Sequence, residues 1–386
     1  MNGAIDQPAA LTTSAAVAAV AGSSASATPF GPRPARWPLR CPAGVSSEAL
    51  ALLAAVEVVD LHLDSFITTR LVGYDLHKRH GLGPLRGHFF GQLDWPRAVE
   101  GGLTGAMWSI TTNPLRGAKA RWAAFERNLE RLQRDVARTD GALRIANNYA
   151  DYLRARADGA HVVLPSIQGA NALQAAPAGP ASIAGDLIVR ATLVHLTNAV
   201  YGPTSSPLGL GSRDDGLSSA GFELVEQLDQ QRIFVDLAHI GHRAFFDACA
   251  AHDPQLPLLA THTGCAGVRP HWRNLNDDQL RAIAATDGVV GIIFQAAFLR
   301  RAGGPRDVDM VVEHLTHVRD TIGARAVGVG SDYDGAIVTS ADLRDGATGY
   351  LRLTDALLRA GWRHDDIIAA LGGNFLRALK VMRPGS

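Results

Sequence analysis

The chain has 386 residues, 47% of them hydrophobic and 19% charged, with 37 basic side chains balanced by 37 acidic ones. That apolar content excludes a disordered polymer, and the zero formal charge argues against a nucleic-acid partner held through its phosphates. Three cysteines (Cys41, Cys249, Cys265) without Cys-x-x-Cys spacing argue against a disulfide framework. No apolar run reaches the roughly 18 residues of a membrane span, so a soluble, cytoplasmic chain is expected.

Residues 1–44 differ in composition from the rest. Ala9–Ala27 is mostly Ala, Ser, Thr and Val, and Pro29–Pro42 is rich in Pro and Arg. The start carries Asp6 where a signal peptide would carry basic residues, which predicts a flexible low-complexity tail. After Ser46, short β-branched runs alternate with helical patterns. Strands are expected at Glu57–Leu63, Gly105–Thr111, His161–Ile167 and Ile188–His195. Four more follow at Arg232–His239, Pro257–Thr263, Gly288–Phe294 and Ala326–Ser331. All are apolar through most of their length, as parallel strands buried on both faces are. Helices are expected at Trp122–Arg138, Ser218–Gln231, Arg243–His252, Asp277–Thr286 and Asp307–Ile322. A last helical region, Thr354 to about Val381, is expected to break at Gly372–Gly373. Eight such alternations predict an α/β fold, one (β/α)8 TIM-type barrel over residues 45–386. A doubly wound sheet is the alternative, but no Gly-x-Gly-x-x-Gly follows the first strand.

Barrel active sites are built where the strands end, so the residues at those ends carry the information. The first strand ends in His62-Leu-Asp64, the third in Gln168-Gly169 and the fourth in His195. The fifth ends in Asp236-Leu-Ala-His239, the sixth in Thr261-His262-Thr263 and the eighth in Asp332-Tyr-Asp334-Gly335. Imidazole and carboxylate are ligands for Zn²⁺ and similar ions. His62 and Asp64, two apart on a strand, share one face. Joined to His239 and His262, they read as a metal centre. His314 and His317, without an acidic neighbour, are expected on the surface; His77, His80 and His88 decorate a Gly-rich loop. Cys265 reads as a small buried filler.

These residues also carry a family resemblance. Asp60-Leu-His62-Leu-Asp64, Asp94-Trp-Pro-Arg97 and Glu100-Gly-Gly102 begin it. Asp236-Leu-Ala-His239, Thr261-His262-Thr263 and Arg273-Asn-Leu275 continue it, and Ser331-Asp332-Tyr-Asp334-Gly335 and Gly372-Gly-Asn-Phe-Leu376 complete it. In this order they resemble the membrane (renal-type) dipeptidases of the amidohydrolase superfamily, from about Val56 to Leu379. The resemblance implies a zinc peptidase that cleaves dipeptides at two ions sharing a bridging hydroxide. His62 and Asp64 would hold one ion, and His239 with His262 the other. It further implies that His195 binds substrate and stabilises the oxyanion, that Asp332 shuttles the proton, and that Arg273 grips the terminal carboxylate. A homodimer is the family habit.

One position departs from the family pattern. Where the family carries a glutamate bridging both metals, this chain has Gln168, whose neutral amide bridges two dications poorly. One or two Zn²⁺ ions are therefore both open, the second bound weakly. Two alternatives stand beside the dipeptidase: an amidohydrolase for another small amide such as an N-acyl amino acid, and a catalytically lapsed binding protein.

Overall fold

The structure, a computed structural model, describes residues 39–113, 115–183, 187–209 and 215–385, apart from the Arg70 side chain. Most of the expected N-terminal tail thus lies outside the described residues. The strands are β1 (Val59–Leu63), β2 (Gly105–Thr111), β3 (Leu143–Ile145), β4 (His161–Gln168) and β5 (Arg190–Thr192). Then come β6 (Phe234–Asp236), β7 (Leu259–Thr263), β8 (Val289–Ile292) and β9 (Val327–Val329). All pairings are parallel, in the order β1-β2-β4-β5-β6-β7-β8-β9.

The ring closes just past β9. Asp332 N donates to the His62 carbonyl at 3.0 Å, and Asp64 N donates to the Tyr333 carbonyl at 2.9 Å. The eight expected strands are therefore the barrel, with most of them shorter than their apolar runs. Every residue of these eight is buried, as strands covered on both faces require. Among the described residues the additional strand, β3, pairs only with β4 and lies outside the ring.

Local signals place the helices that cover the barrel. Ser218 caps Ser219–Gln230, accepting from Gly221 N, and Asn276 with Gln279 forms a capping box at Asp277–Ala284. Asp94 caps Trp95–Glu100 while its carboxylate holds Arg97 Nε at 2.7 Å, so this family motif is structural.

The C-terminal region corrects an expectation. Its interruption falls between Gly349–Arg359 and His364–Ile368, whereas Gly372–Gly373 lies in a continuous π-helical turn leading into Asn374–Met382. A Cβ on Gly372 would sit 2.6 Å from the Glu57 carbonyl, so the glycine permits close helix–barrel approach. Two residues on, Asn374 Nδ2 donates to the carbonyls of Ala324 (2.7 Å) and Val327 (2.8 Å), anchoring the start of β9.

Candidate metal centre

Six of the side chains singled out from the sequence meet at the C-terminal rim of the barrel: His62, Asp64, Gln168, His239, His262 and Asp332. The rings of His62 and His262 stack with centroids 3.8 Å apart. His62 Nε2 lies 3.6 Å from Asp64 Oδ2 and 3.6 Å from Asp332 Oδ1. The ligand atoms of His62, His262 and Asp332 all lie within 4.8 Å of one another. His239 Nε2 and His262 Nε2 approach to 2.8 Å, and the Gln168 Nε2 position stands 3.4 Å from each.

Three buried polar atoms of this cluster have no hydrogen-bond partner among the described residues: His62 Nε2, His239 Nδ1 and Asp332 Oδ1. Buried polar groups are normally satisfied, so the unpartnered Asp332 oxygen, within 4.8 Å of the His262 ligand atom, fits a bound cation. The donor set of imidazoles and carboxylates suits Zn²⁺ and other borderline divalent ions. His239 (φ 69°) and Asp332 (φ 60°) are both held in the left-handed region, where non-glycine residues are uncommon.

Charge balance follows the same pattern. Burial, then the charge of Asp64, pushes the Asp332 carboxyl well above the usual carboxylate range, with Arg273 opposing. Burial also holds His239 and His262 well below the ordinary imidazole value, reinforced by Arg273 for the first and His62 for the second. Neutral imidazole is the form that ligates metals. A cation between these groups would hold Asp332 ionised without charging the histidines.

Supporting contacts orient the ring of His262. Its Nδ1 lies 2.9 Å from Thr261 Oγ1, and that hydroxyl donates to Asp236 Oδ2 at 2.8 Å. The hydroxyl proton is therefore spent on the carboxylate, Nδ1–H is the donor, and Nε2 presents its lone pair to the site. On the opposite side Thr111 Oγ1 lies 2.9 Å from Asp64 Oδ1 and 2.7 Å from Gln168 Oε1.

The other predicted site residues border this cluster. His195 faces His239 edge-on at 4.8 Å, and burial pushes it down to about 4, so its ring is neutral near pH 7. A Cβ on Gly169 (φ +85°) would lie 3.2 Å from His195 Cβ, which explains a glycine beside Gln168. Arg273 is buried, and its Nη2 donates to the His262 carbonyl. His239 and Arg273 line one cavity of about 300 Å³ together with Ser205, Trp272 and Asn274. Asp334 is turned away: its carboxylate accepts from Gln92 N at 2.8 Å, a structural role.

Elsewhere the structure corrects two readings. His314 is buried, not on the surface: it accepts from Cys265 N at 2.8 Å, and its Nε2 lies 3.0 Å from the Leu299 carbonyl. His317 has an acidic partner after all, Asp277 at 2.8 Å. Cys265 is the buried filler expected of it. Two site residues went unnoticed in the sequence, Thr111 and Arg190. Thr111 ends β2, so the strand-end rule could have found it; Arg190 is a lone charge in an apolar strand.

Comparison with known proteins adds the following. A family model described as membrane dipeptidase (peptidase family M19) matches residues 46–383. Dipeptidase aclJ of Aspergillus oryzae is 29% identical over 346 residues, covering 85% of this chain and 78% of the relative. An uncharacterised Klebsiella pneumoniae protein from the pqqA 5′ region is 32% identical over 255 residues, 64% of this chain and 92% of its own length. A metallopeptidase of Rhodobacter sphaeroides, solved with a phosphinate mimic of the dipeptide L-Ala-D-Ala, superposes with a TM-score of 0.71 at 26% identity. That alignment covers 84% of this chain and 99% of the other.

Proposed function

The chain belongs to the membrane dipeptidase family of metallopeptidases, and on that premise we propose that its rim cluster hydrolyses the peptide bond of dipeptides with a divalent ion, zinc by preference. His239 and His262 hold this ion, and His62 with Asp64 stands where a second ion of the family's pair would bind. A bound ion would supply Lewis-acid polarisation of the scissile carbonyl and ready access to hydroxide near neutral pH.

The observation that carries the reading is Arg273. Its Nε and Nη1 are buried and, among the described residues, without partners, beside the histidine cluster. A guanidinium with two free donors in a small cavity matches a carboxylate, the group a dipeptide presents one residue from its scissile bond. His195, neutral near pH 7, donates an N–H to the oxyanion as it develops, without competing for the substrate's proton. Asp332 presents an unpartnered oxygen to the same space, where it takes the proton of the attacking water and returns it to the leaving amine.

The test is hydrolysis of a mixed dipeptide pool by zinc-reconstituted protein beside a chelated control. Metal-dependent release of amino acids is expected. Folded, metal-loaded protein that leaves every dipeptide intact would overturn the reading. Gln168 favours one second reading, an amidohydrolase for another small amide such as an N-acyl amino acid. Cleavage of such amides but not of dipeptides would select it.

A further inference from the structure

The two stacked imidazoles of the site, His62 and His262, are not equivalent. His262 follows the ordinary rule for a metal ligand, donating its outer N–H to a hydroxyl that is itself fixed by Asp236. His62 breaks that rule. Its Nδ1 faces Nη2 of Arg190 at 2.8 Å. Arginine has donors only and keeps its charge at every accessible pH, so Nδ1 must be the acceptor. A neutral His62 then carries its proton on Nε2, the atom that faces Asp64 and Asp332. Turning the ring over would set a C–H against the guanidinium.

Arg190 is fixed in this attitude. It is fully buried on β5, three strands along the sheet from β1, so it reaches across the barrel interior beneath the site. Nη1 donates to the Ile167 carbonyl at 3.0 Å and lies 3.3 Å from Asp236 Oδ2; Nη2 also reaches Ser166 Oγ at 3.3 Å. With Gln168 at the neighbouring position, one negative charge is missing and one positive charge is added where two dications would otherwise meet.

We propose that Arg190 is a resident cation of the metal centre: it commits His62 to the Nε2–H tautomer, withholds that ring from ligation, and limits the centre to a single divalent ion on the His239–His262 side. His62 then acts as a donor toward Asp64 and Asp332, positioning those carboxylates rather than binding metal. The inference rests on the metal-centre reading above, and it deepens that reading by specifying how the second subsite is closed.

Two measurements decide it without recourse to activity. The first is long-range ¹H–¹⁵N correlation on histidine-labelled, metal-free full chain, with His62 assigned by its loss in His62→Gln. An Nε2–H signature is expected in the wild type and in Arg190→Lys, which keeps a donor; Arg190→Met should release the ring toward Nδ1–H. The second is metal counting after equilibration with Zn²⁺ and gel filtration. One ion per chain is expected for the wild type and for Gln168→Glu, and two for Gln168→Glu/Arg190→Met. An Nδ1–H His62 in the wild type, or two ions in the wild type or in Gln168→Glu alone, would overturn the proposal. If Arg190→Met fails to fold, the wild-type spectrum and both single-chain counts still decide. Absence of dipeptide hydrolysis would count against the functional reading and leave the tautomer result untouched.

Discussion

Two groups of buried histidine divide this molecule. His161 and His314 sit behind the barrel wall, and each uses both ring nitrogens. Trp108 Nε1 donates to His161 Nε2 at 3.1 Å while His161 Nδ1 lies 3.1 Å from the Leu103 carbonyl. His314 accepts from Cys265 N and donates to the Leu299 carbonyl. At the rim, His62 and His239 are also buried, yet each has one nitrogen without a hydrogen-bond partner among the described residues. Burial lowers the pKa of all four. What separates a structural histidine from a functional one is whether a nitrogen is left over and what it faces.

The largest expected effect comes from removing a rim histidine. His262→Ala deletes a lone pair that Thr261 and Asp236 aim into the site, so the protein should lose its metal. Lewis-acid stabilisation amounts to several kcal/mol, so dipeptide hydrolysis should fall by about a thousandfold or more. Metal analysis and kcat/KM together check this; a His262→Ala protein that keeps full metal content would erase the distinction between the two groups.

The wall histidines should respond to pH instead. Burial, which penalises the charged ring, pushes His161 and His314 down to about 4 against the hydrogen bonds they donate to the Leu103 and Leu299 carbonyls. The unfolded chain takes up those protons near the ordinary value of about 6.5. Their stabilising contribution is therefore complete above that value and is lost as the pH falls from there toward 4. Each amounts to about 3 kcal/mol over that window. Urea unfolding of the wild type and of His161→Gln should give parallel pH dependence above about pH 6.5 and, from there down to about pH 4.5, slopes that differ by up to about 1.4 kcal/mol per pH unit. Parallel slopes would mean that His161 does not stay neutral in the fold.

Arg273 tests the substrate side. Truncating a charged hydrogen-bonding group costs about 1.5–3 kcal/mol, so Arg273→Ala should raise KM for dipeptides roughly ten- to a hundredfold. Dipeptide amides, which lack the carboxylate, should show a much smaller change. Equal effects on both substrates would remove the carboxylate role.

The division between these regions was only half visible in the sequence. The eight strands could be read because each is a continuous buried run, and the rim residues could be read because strand ends face the site. Three-residue β3 is too short to show a period. The break expected at Gly372–Gly373 followed helix propensity, but packing against the Glu57 carbonyl prevails there. His314 did carry a signal, since Val311, Leu315 and Val318 share its helix and are buried with it. The proton positions were not legible at all. They depend on contacts such as Arg190 with His62, which are 128 positions apart in the chain.

His317 supplies the smallest and most discriminating case. It stands one helical turn from His314 but pairs with Asp277, a contact 40 residues away in sequence and partly open to solvent. A pair of this kind loses in desolvation and side-chain ordering much of what it gains in attraction. His317→Ala should therefore cost at most about 1 kcal/mol in urea unfolding. Metal content and KM should not change, because no nitrogen of this ring reaches the rim. His314→Ala, by contrast, strands Cys265 N and the Leu299 carbonyl in the core and should cost several times as much, about 2–4 kcal/mol for two lost buried partners. Equal costs for the two substitutions would show that exposure does not set what each histidine is worth.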